Sequence, residues 1–139
     1  MDVEIIRDYN REDLIEMQEV YQSVGWKKHT EDIINQVFSA SNIKVLVKLD
    51  GRIVGFGRAI SDGVFNAAIY DLVVHHDYQK KGIAKRILDE MLIELSSVSC
   101  VHLISTTGNE EFYRKHGFRK VKTGMARYLR WELANEYLE

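Results

Sequence analysis

The stretch that decides the fold is Asp71-Leu72-Val73-Val74-His75-His76-Asp77-Tyr78-Gln79-Lys80-Lys81-Gly82-Ile83-Ala84. Its apolar start is typical of a buried strand, and the loop that follows carries basic residues and ends at Gly82. Beyond that glycine, apolar residues recur with helical spacing at Ile83, Ile87, Leu88, Met91, Leu92 and Leu95. The stretch therefore predicts a strand, a short basic loop and an amphipathic helix. This order is typical of a mixed sheet with helices on its faces.

The turn into this helix is a candidate phosphate-binding site. The first N–H groups of a helix lack intrahelical acceptors and carry a partial positive charge, so they bind phosphate readily. Gly82 and Ala84 keep bulky side chains away from the backbone, and Lys80, Lys81 and Lys85 add positive charge. An ordinary loop with solvated lysines is the alternative interpretation. The Walker pattern is absent, and two of the three glycines of a dinucleotide fingerprint are missing.

Turn signals and apolar spacing divide the rest of the chain. Asn10 and Thr30 are placed to cap two helices, Asp50-Gly51 suits a tight hairpin, and Gly117 suits the left-handed end of a helix. The predicted strands are Val3–Ile6, Ile43–Leu49, Ile53–Phe56, about Ala67–Val74, Cys100–Ser105, Phe118–Val121 and Arg127–Trp131. The predicted helices run from Asn10 to about Val24, from Asp32 to Ser39, from Gly82 onward and from Glu110 to Lys115.

The composition narrows the class of protein. The 139 residues are 45% hydrophobic and show no repeat or linker, which predicts a single domain over residues 1–139. A net charge of -2 argues against a nucleic-acid binder. The only cysteine is Cys100, the first residues do not resemble a signal peptide, and no apolar run approaches the ~18 residues of a membrane span. We therefore expect a cytoplasmic protein that does not span a membrane.

Two segments of the chain resemble one enzyme family. Gln79-Lys80-Lys81-Gly82-Ile83-Ala84 is similar to the Gln/Arg-x-x-Gly-x-Gly/Ala signature of the GNAT superfamily of acyl-CoA-dependent N-acyltransferases. Phe112-Tyr113-Arg114-Lys115-His116-Gly117-Phe118 lies about thirty residues downstream, as in that family. The resemblance implies a mixed, mostly antiparallel twisted sheet of six to seven strands with a splayed central pair, flanked by about four helices.

The same resemblance implies an acetyl-CoA site. Backbone N–H groups of the basic turn would hold the pyrophosphate, and the strand before it would pair with the pantetheine arm. Two departures from the family pattern are His76, where proline is common, and Thr106 and Asn109, where many members have asparagine and alanine. The implied cofactor-binding residues are Leu72, Val73, Val74, Gln79, Lys80, Lys81, Gly82, Ile83, Ala84, Lys85, Asn109 and Phe112.

The chemistry requires an acid for the leaving thiolate and a base for the amine. By resemblance, Tyr113 would protonate the thiolate, although it could instead simply pack the short helix. Asp71 is a candidate base, but strand alternation turns its side chain away from those of Leu72 and Val74. Cys100 begins an apolar strand and is interpreted as a buried small hydrophobe, which favours direct attack by the amine over an acyl-enzyme. His102 is interpreted as a core residue.

The acceptor side is less defined by sequence. Trp26, in the loop between the first two helices, would line the pocket or belong to the core, and Arg58 would pair with a substrate carboxylate or be solvated. We expect a small primary amine as acceptor and no metal. A peptide or protein amine and a non-catalytic acyl-CoA-binding module are the alternatives. By resemblance, apolar residues near the C-terminus would suit a homodimer: Tyr128, Leu129, Trp131 and Leu133.

Overall fold

The computed structural model of the protein describes residues 2–139, which divide into two compact units. The first unit ends at Ile104 and the second spans Ser105–Glu139. The predicted single domain over residues 1–139 stays a prediction. The elements of the first unit are β1 (Val3–Ile6), α1 (Leu14–Ser23), α2 (Glu31–Ser39), β2 (Ile43–Leu49), β3 (Arg52–Ser61), β4 (Asn66–Val74), α3 (Ile83–Glu94) and β5 (Cys100–His102), with 3-10 turns at Arg11–Asp13 and His76–Tyr78.

The five strands form one sheet in the order β1-β2-β3-β4-β5. The first four pair antiparallel, and β5 pairs parallel with β4 after the crossover through α3. This is the predicted mixed and mostly antiparallel sheet, but residues 2–139 form five strands instead of the predicted six to seven. The last two strands pair only between Asn66–Ala68 and Cys100–His102, so over residues 69–74 strand β4 has no ladder partner on that side among residues 2–139. The predicted splayed pair is therefore present.

One face of the sheet is covered by α1 and α2. The Oγ1 of Thr30 accepts a hydrogen bond from the Ile33 N–H, which confirms the predicted cap of α2. At Asn10 the predicted helix begins instead with the 3-10 turn, whose Asp13 carboxylate accepts from the Asn10 N–H. The buried residues on this face form the main core: Leu14, Met17, Val20, Tyr21, Ile34, Phe38, Leu46, Ile53, Phe56 and Val73.

The other face of the sheet packs closely against α3. Gly55 and Gly57 of β3 lie under the helix, and a Cβ on Gly57 would come within 2.7 Å of the Met91 Sδ. The side chains of Leu72 and Val74 meet the same two glycine positions, so they point toward α3. Because a side chain at Gly57 would force Met91 to move, the glycines let the helix approach the sheet closely.

The predicted turns of the first unit are confirmed. Asp50 and Gly51 both have positive φ (51° and 83°), as a tight hairpin with two left-handed central residues requires. In the next turn, Asp62 Oδ1 accepts hydrogen bonds from three successive backbone N–H groups, those of Val64, Phe65 and Asn66. These bonds satisfy the backbone of the turn that joins β3 to β4.

The second unit differs from its predicted form. It contains two helices, α4 (Glu110–Arg114) and α5 (Trp131–Tyr137), and Gly117 has φ +89° just after α4, as predicted. The two predicted closing strands, Phe118–Val121 and Arg127–Trp131, are wrong, since neither forms a strand in residues 2–139. Aromatic and apolar residues favoured a strand at Trp131, but the Glu-Leu-Ala-Asn-Glu that follows favours a helix, and the helix forms.

Candidate functional site

A β-bulge interrupts β4 at the edge of the splay. Phe56 pairs with Val73 and Arg58 with Tyr70, so Gly57 alone faces two residues of β4, Asp71 and Leu72. Asp71 takes φ +52°, a left-handed conformation that aspartate tolerates better than most residues. The bulge therefore re-aims one carboxylate at the point where β4 begins to separate from β5.

The Asp71 carboxylate is held by two other elements. Its Oδ2 accepts from the Tyr21 hydroxyl of α1 at 3.0 Å and from the Arg58 Nε of β3 at 2.9 Å. Arg58 also donates to the Ser41 Oγ at 3.2 Å and stacks over the Tyr70 ring, 4.9 Å from its centroid. Both hydrogen bonds reach Oδ2, and no residue among 2–139 donates to Oδ1.

The burial and the contacts of Asp71 and Arg58 test what the sequence predicted for these two side chains. The side chains of Asp71 and Arg58 are only 16% and 13% exposed, so the interpretation of Arg58 as simply solvated is wrong. The prediction that Asp71 points away from Leu72 and Val74 is confirmed, since its partners lie on α1 and β3 while those side chains face α3. Whether Arg58 binds a substrate carboxylate stays a prediction.

An aromatic stack lies beside the carboxylate. The Tyr21 ring contacts His29 at a centroid distance of 4.1 Å and Trp26 at 5.8 Å, both stacked. Burial, reinforced by the charge of Asp71 and the hydrogen bond to it, raises the pKa of Tyr21 far above its usual value, so its hydroxyl stays a donor. Trp26 is half-buried at the rim of the core, which fits both interpretations given to it.

His29 is the least satisfied polar group of the stack. Its Nδ1 is buried and has no hydrogen-bond partner within residues 2–139. Burial lowers the pKa of the imidazole; the negative charge of Asp71 opposes this shift and the positive charge of Arg58 adds to it. The ring is therefore held neutral next to the Asp71–Arg58 pair.

The turn before α3 exposes its backbone as predicted. Gly82 has φ +82° and a Cβ there would meet no atom within 4 Å, so the space in front of the helix is open. The first helical hydrogen bond runs from the Arg86 N–H to the Gly82 carbonyl, which leaves the earlier N–H groups available. No acidic residue lies in the first turn. Gln79 donates from Nε2 to the Val74 carbonyl and so braces the loop against the end of β4.

In the second unit, the predicted residues gather around α4. Tyr113 is half-buried between Phe112 and Phe118, with ring centroids 5.1 and 5.8 Å away. Burial raises the pKa of its hydroxyl, so the phenol stays protonated at neutral pH. Asn109 precedes the helix and donates from Nδ2 to the Thr106 Oγ1 at 2.6 Å.

Two sequence interpretations are wrong in the structure, and three residues were missed. Cys100 and His102 are exposed rather than buried, because β5 is three residues long and lies at the edge of the sheet. Tyr21, His29 and Ser41 join the Asp71 cluster, and none of the three was a candidate site residue in the sequence. Their positions come from separate elements, so no local motif announces them.

Two classes of feature are not found in residues 2–139. No group of three or more histidine, cysteine, aspartate or glutamate residues is placed to hold a metal ion. No helix among these residues is long and apolar enough to cross a membrane.

Known proteins resemble the chain in sequence. The acetyltransferase (GNAT) domain family matches residues 41–120. The N-acetyltransferase ycf52 of Porphyra purpurea is 35% identical over 118 residues, covering 81% of this chain and 68% of that protein. Serotonin N-acetyltransferase 2, chloroplastic, of Oryza sativa subsp. japonica is 31% identical over 108 residues (73% and 54%). Histone acetyltransferase TAP1 of Glycine max is 25% identical over 126 residues (81% and 54%). The chain thus spans between about half and two thirds of the length of these relatives.

A solved structure resembles the chain in fold. The GNAT-family acetyltransferase of Streptococcus pneumoniae TIGR4 gives a TM-score of 0.77 at 29% sequence identity, covering 93% of this chain and 99% of that one. The match in fold agrees with the match in sequence.

Proposed function

Because the chain belongs to the GNAT family of acetyltransferases, we propose that it transfers the acetyl group of acetyl-CoA to a primary amine of a small molecule, by direct attack in a ternary complex. The observation that carries this proposal is the half-buried Asp71 carboxylate at the bulge of β4, tied to Arg58 and Tyr21 through Oδ2. A slender amine can reach the remaining oxygen of a carboxylate this enclosed more easily than a folded protein surface can.

The described residues fit acetyl-CoA. Enzymes of the GNAT fold use acetyl-CoA as cosubstrate, and when bound it supplies the activated thioester. In this chain the open turn at Gly82 offers unpaired backbone N–H groups to a pyrophosphate, with Lys80, Lys81 and Lys85 nearby. The unpaired edge of β4 over residues 69–74 offers its backbone to an extended arm such as pantetheine.

On the acceptor side, Asp71 binds and orients the amine. Its Oδ1 accepts a hydrogen bond from the amine, while Arg58 and Tyr21 keep the carboxylate fixed through Oδ2. The neutral His29 imidazole adds a second acceptor of protons beside it. Asp71 is thus the proposed base or anchor, Trp26 a wall of the acceptor pocket, and Arg58 a positioning residue rather than a free anchor for a substrate carboxylate.

Tyr113 is the proposed acid. Its raised pKa keeps the proton on the hydroxyl, which suits a group that donates to a departing thiolate. Asn109 and Phe112 on the same short segment remain proposed contacts of the cosubstrate. Cys100 is exposed and lies outside the Asp71 cluster, which supports direct attack without an acyl-enzyme.

The alternatives make different products. A relative named for histone acetylation supports a peptide or protein amine as acceptor, whereas one named for serotonin supports a small amine. A non-catalytic acyl-CoA-binding module would bind the cosubstrate and acetylate nothing. The Asp71 cluster argues against this module, because a partly buried carboxylate held in a left-handed bulge costs stability that binding alone does not require.

The deciding experiment has two steps. Thermal unfolding is measured with acetyl-CoA, ATP and NAD; a ligand at a hundred times its Kd stabilises the fold by about 2.7 kcal/mol. Thiol release and acetylated product are then measured with a panel of small amines and with a lysine peptide. Specific stabilisation by acetyl-CoA with acetylation of small amines is the expected result. Acetylation of the peptide alone would overturn the small-molecule proposal, and absence of any product would leave the binding module.

Compartment and assembly are further proposals. We place the enzyme in the cytoplasm, while the rice relative is named chloroplastic. Exposed apolar residues of the second unit, Leu129 at 101% and Trp131 at 69%, support a homodimer. Sedimentation of the purified chain across a concentration series measures the assembly directly.

A further inference from the structure

A recess lies on the sheet face that carries Arg58, beyond the part covered by α1 and α2. Its volume is about 220 Å³. Its lining residues come from the facing ends of β3, β4 and β5 and from the turn between β3 and β4: Ile60, Ser61, Asp62, Asn66, Ala67, Ala68, Tyr70 and His102. All of them lie in the first unit, so the recess is formed within a single body.

The strand register makes the recess continuous with the Asp71 cluster. Ile60 pairs with Ala68, and Ala68 pairs with His102, so these three residues lie side by side across three strands. The next pair on the same face of β3 and β4 is Arg58 with Tyr70, whose ring lies under the guanidinium that binds Asp71. From Tyr70 to Asn66 the recess runs four residues along β4, or about 13 Å.

The floor of the recess is apolar and exposed. Ile60 and Tyr70 are each 45% exposed, and the small Ala68 between them leaves the depression in the floor. At the far end the Asp62 Oδ1 accepts three backbone N–H groups. The apolar floor between this turn and Tyr70 favours a flat apolar body of the acceptor.

From this geometry we infer that the recess binds the body of the acceptor, and that the acceptor is a primary amine carrying an aromatic or other flat apolar group. The ring lies on Ile60 and Ala68 and against His102, and the amine extends past Tyr70 to the Asp71 carboxylate. This inference rests on the proposed function, since it names the acceptor class of the same site. A linear diamine would leave most of the apolar floor uncovered.

The test uses two amines that differ only in their body, 2-phenylethylamine and ethylamine, with 1,4-diaminobutane as the cationic comparison. Ala68→Leu fills the floor and suits a strand, so it is the main variant. Ile60→Thr keeps a β-branched residue and is the milder second variant, which covers the case that Ala68→Leu fails to fold. Ile15→Thr removes an isoleucine that is 55% exposed on α1, outside the recess, and is the matched control.

Ala68→Leu should raise the KM for 2-phenylethylamine about tenfold, as expected when one side chain fills an apolar pocket, and change the KM for ethylamine and acetyl-CoA less than about twofold. Ile15→Thr should leave all three values unchanged. Equal losses for both amines, no loss for the ring amine, or a preference of the wild-type enzyme for the diamine would overturn the inference.

A direct measurement of amine binding distinguishes this inference from the proposed function. The Kd of 2-phenylethylamine is measured by calorimetry without acetyl-CoA, for the wild type and for each variant. Binding that Ala68→Leu weakens, without acetylation of any amine, would support the recess and overturn the proposed function. Acetylation with a KM insensitive to both recess variants would support the proposed function and overturn the recess.

Discussion

The two ends of the part of β4 that has separated from β5, at Val74 and at Asp71, are built in different ways. At Val74 the strand leads into a turn that offers backbone N–H groups, and the space in front of them is open because Gly82 has no side chain. At Asp71 the strand offers a side chain, and its partners Tyr21 and Arg58 come from α1 and β3, while Ser41 after α2 holds Arg58 in turn. The proposed cosubstrate end therefore depends on local chain geometry, and the proposed acceptor end depends on the tertiary fold.

This difference predicts how each end fails when it is changed. A substitution in the turn alters binding of acetyl-CoA through backbone conformation and leaves the core intact. A substitution in the Asp71 cluster removes one partner of a buried set, so it lowers both stability and turnover.

The largest expected effect is that of Gly82→Val. A β-branched residue at φ +82° is strained by about 1–2 kcal/mol, and its methyl groups occupy the open space before α3. We expect acetyl-CoA affinity, measured by calorimetry, to fall by more than about 100-fold, or roughly 2.7 kcal/mol. Gly51→Val is the matched control, because Gly51 has φ +83° and equally open surroundings in a distant hairpin. The control should lose similar stability and bind acetyl-CoA normally; equal loss of affinity in both would contradict a local role for Gly82.

Tyr113→Phe tests the catalytic residue proposed for the second unit. Removing the hydroxyl should lower kcat about 100-fold, the contribution typical of a general acid, while the packed ring keeps stability within about 0.5 kcal/mol. Pre-steady-state and steady-state kinetics with saturating acetyl-CoA measure the effect. Full kcat in this variant would remove Tyr113 from the mechanism.

Asp71→Asn tests the acceptor end. The change keeps the shape but leaves the Arg58 charge uncompensated at 13% exposure, so unfolding free energy should fall by about 1–3 kcal/mol. Catalytic efficiency toward the amine should fall about tenfold or more, with acetyl-CoA affinity unchanged. Adding Arg58→Met should cost less than its own single effect, since the pair is already broken. Glu111→Gln removes a partner of an exposed ion pair and should cost under about 0.5 kcal/mol.

The pH dependence of the free energy of unfolding tests the lowered pKa of His29. The pKa of His29 in the folded chain lies below its usual value of 6.5, so the unfolded chain binds more protons as the pH falls below that value. The wild type should therefore lose stability below pH 6.5 relative to His29→Phe, which keeps the stacked ring and cannot titrate. Urea unfolding from pH 5 to pH 8 measures the difference, and identical slopes would show that His29 titrates alike in both states.

The smallest expected effect is that of Cys100→Ala. Cys100 is exposed on the edge strand, so its removal should change kcat and stability within experimental error. Loss of turnover with acetyl-CoA binding retained would favour an acyl-enzyme over direct attack.

The sequence predicted what depends on local chemistry. Gly117 and Thr30 took the expected conformations because the left-handed end of a helix and a helix cap need only particular residue types at particular positions. The exposed Cys100 and the helix at Trp131 were not predicted, because burial and strand pairing depend on which distant elements cover a segment. The same reason hid Tyr21 and His29, whose roles arise only when α1 and the loop after it meet the bulge.

The two faces of strand β3 have different surroundings. The face with Gly55 and Gly57 lies under α3, the helix that follows the turn at Gly82, and a methyl group added at Gly57 would force the Met91 side chain to move. The opposite face carries Arg58 and Ile60, with Ile60 open to solvent. Under the proposed function, changes on the second face alter the choice of acceptor over evolutionary time without disturbing the cosubstrate. Directed evolution for a new amine should therefore accumulate its substitutions at alternate positions of this strand and leave the glycines untouched.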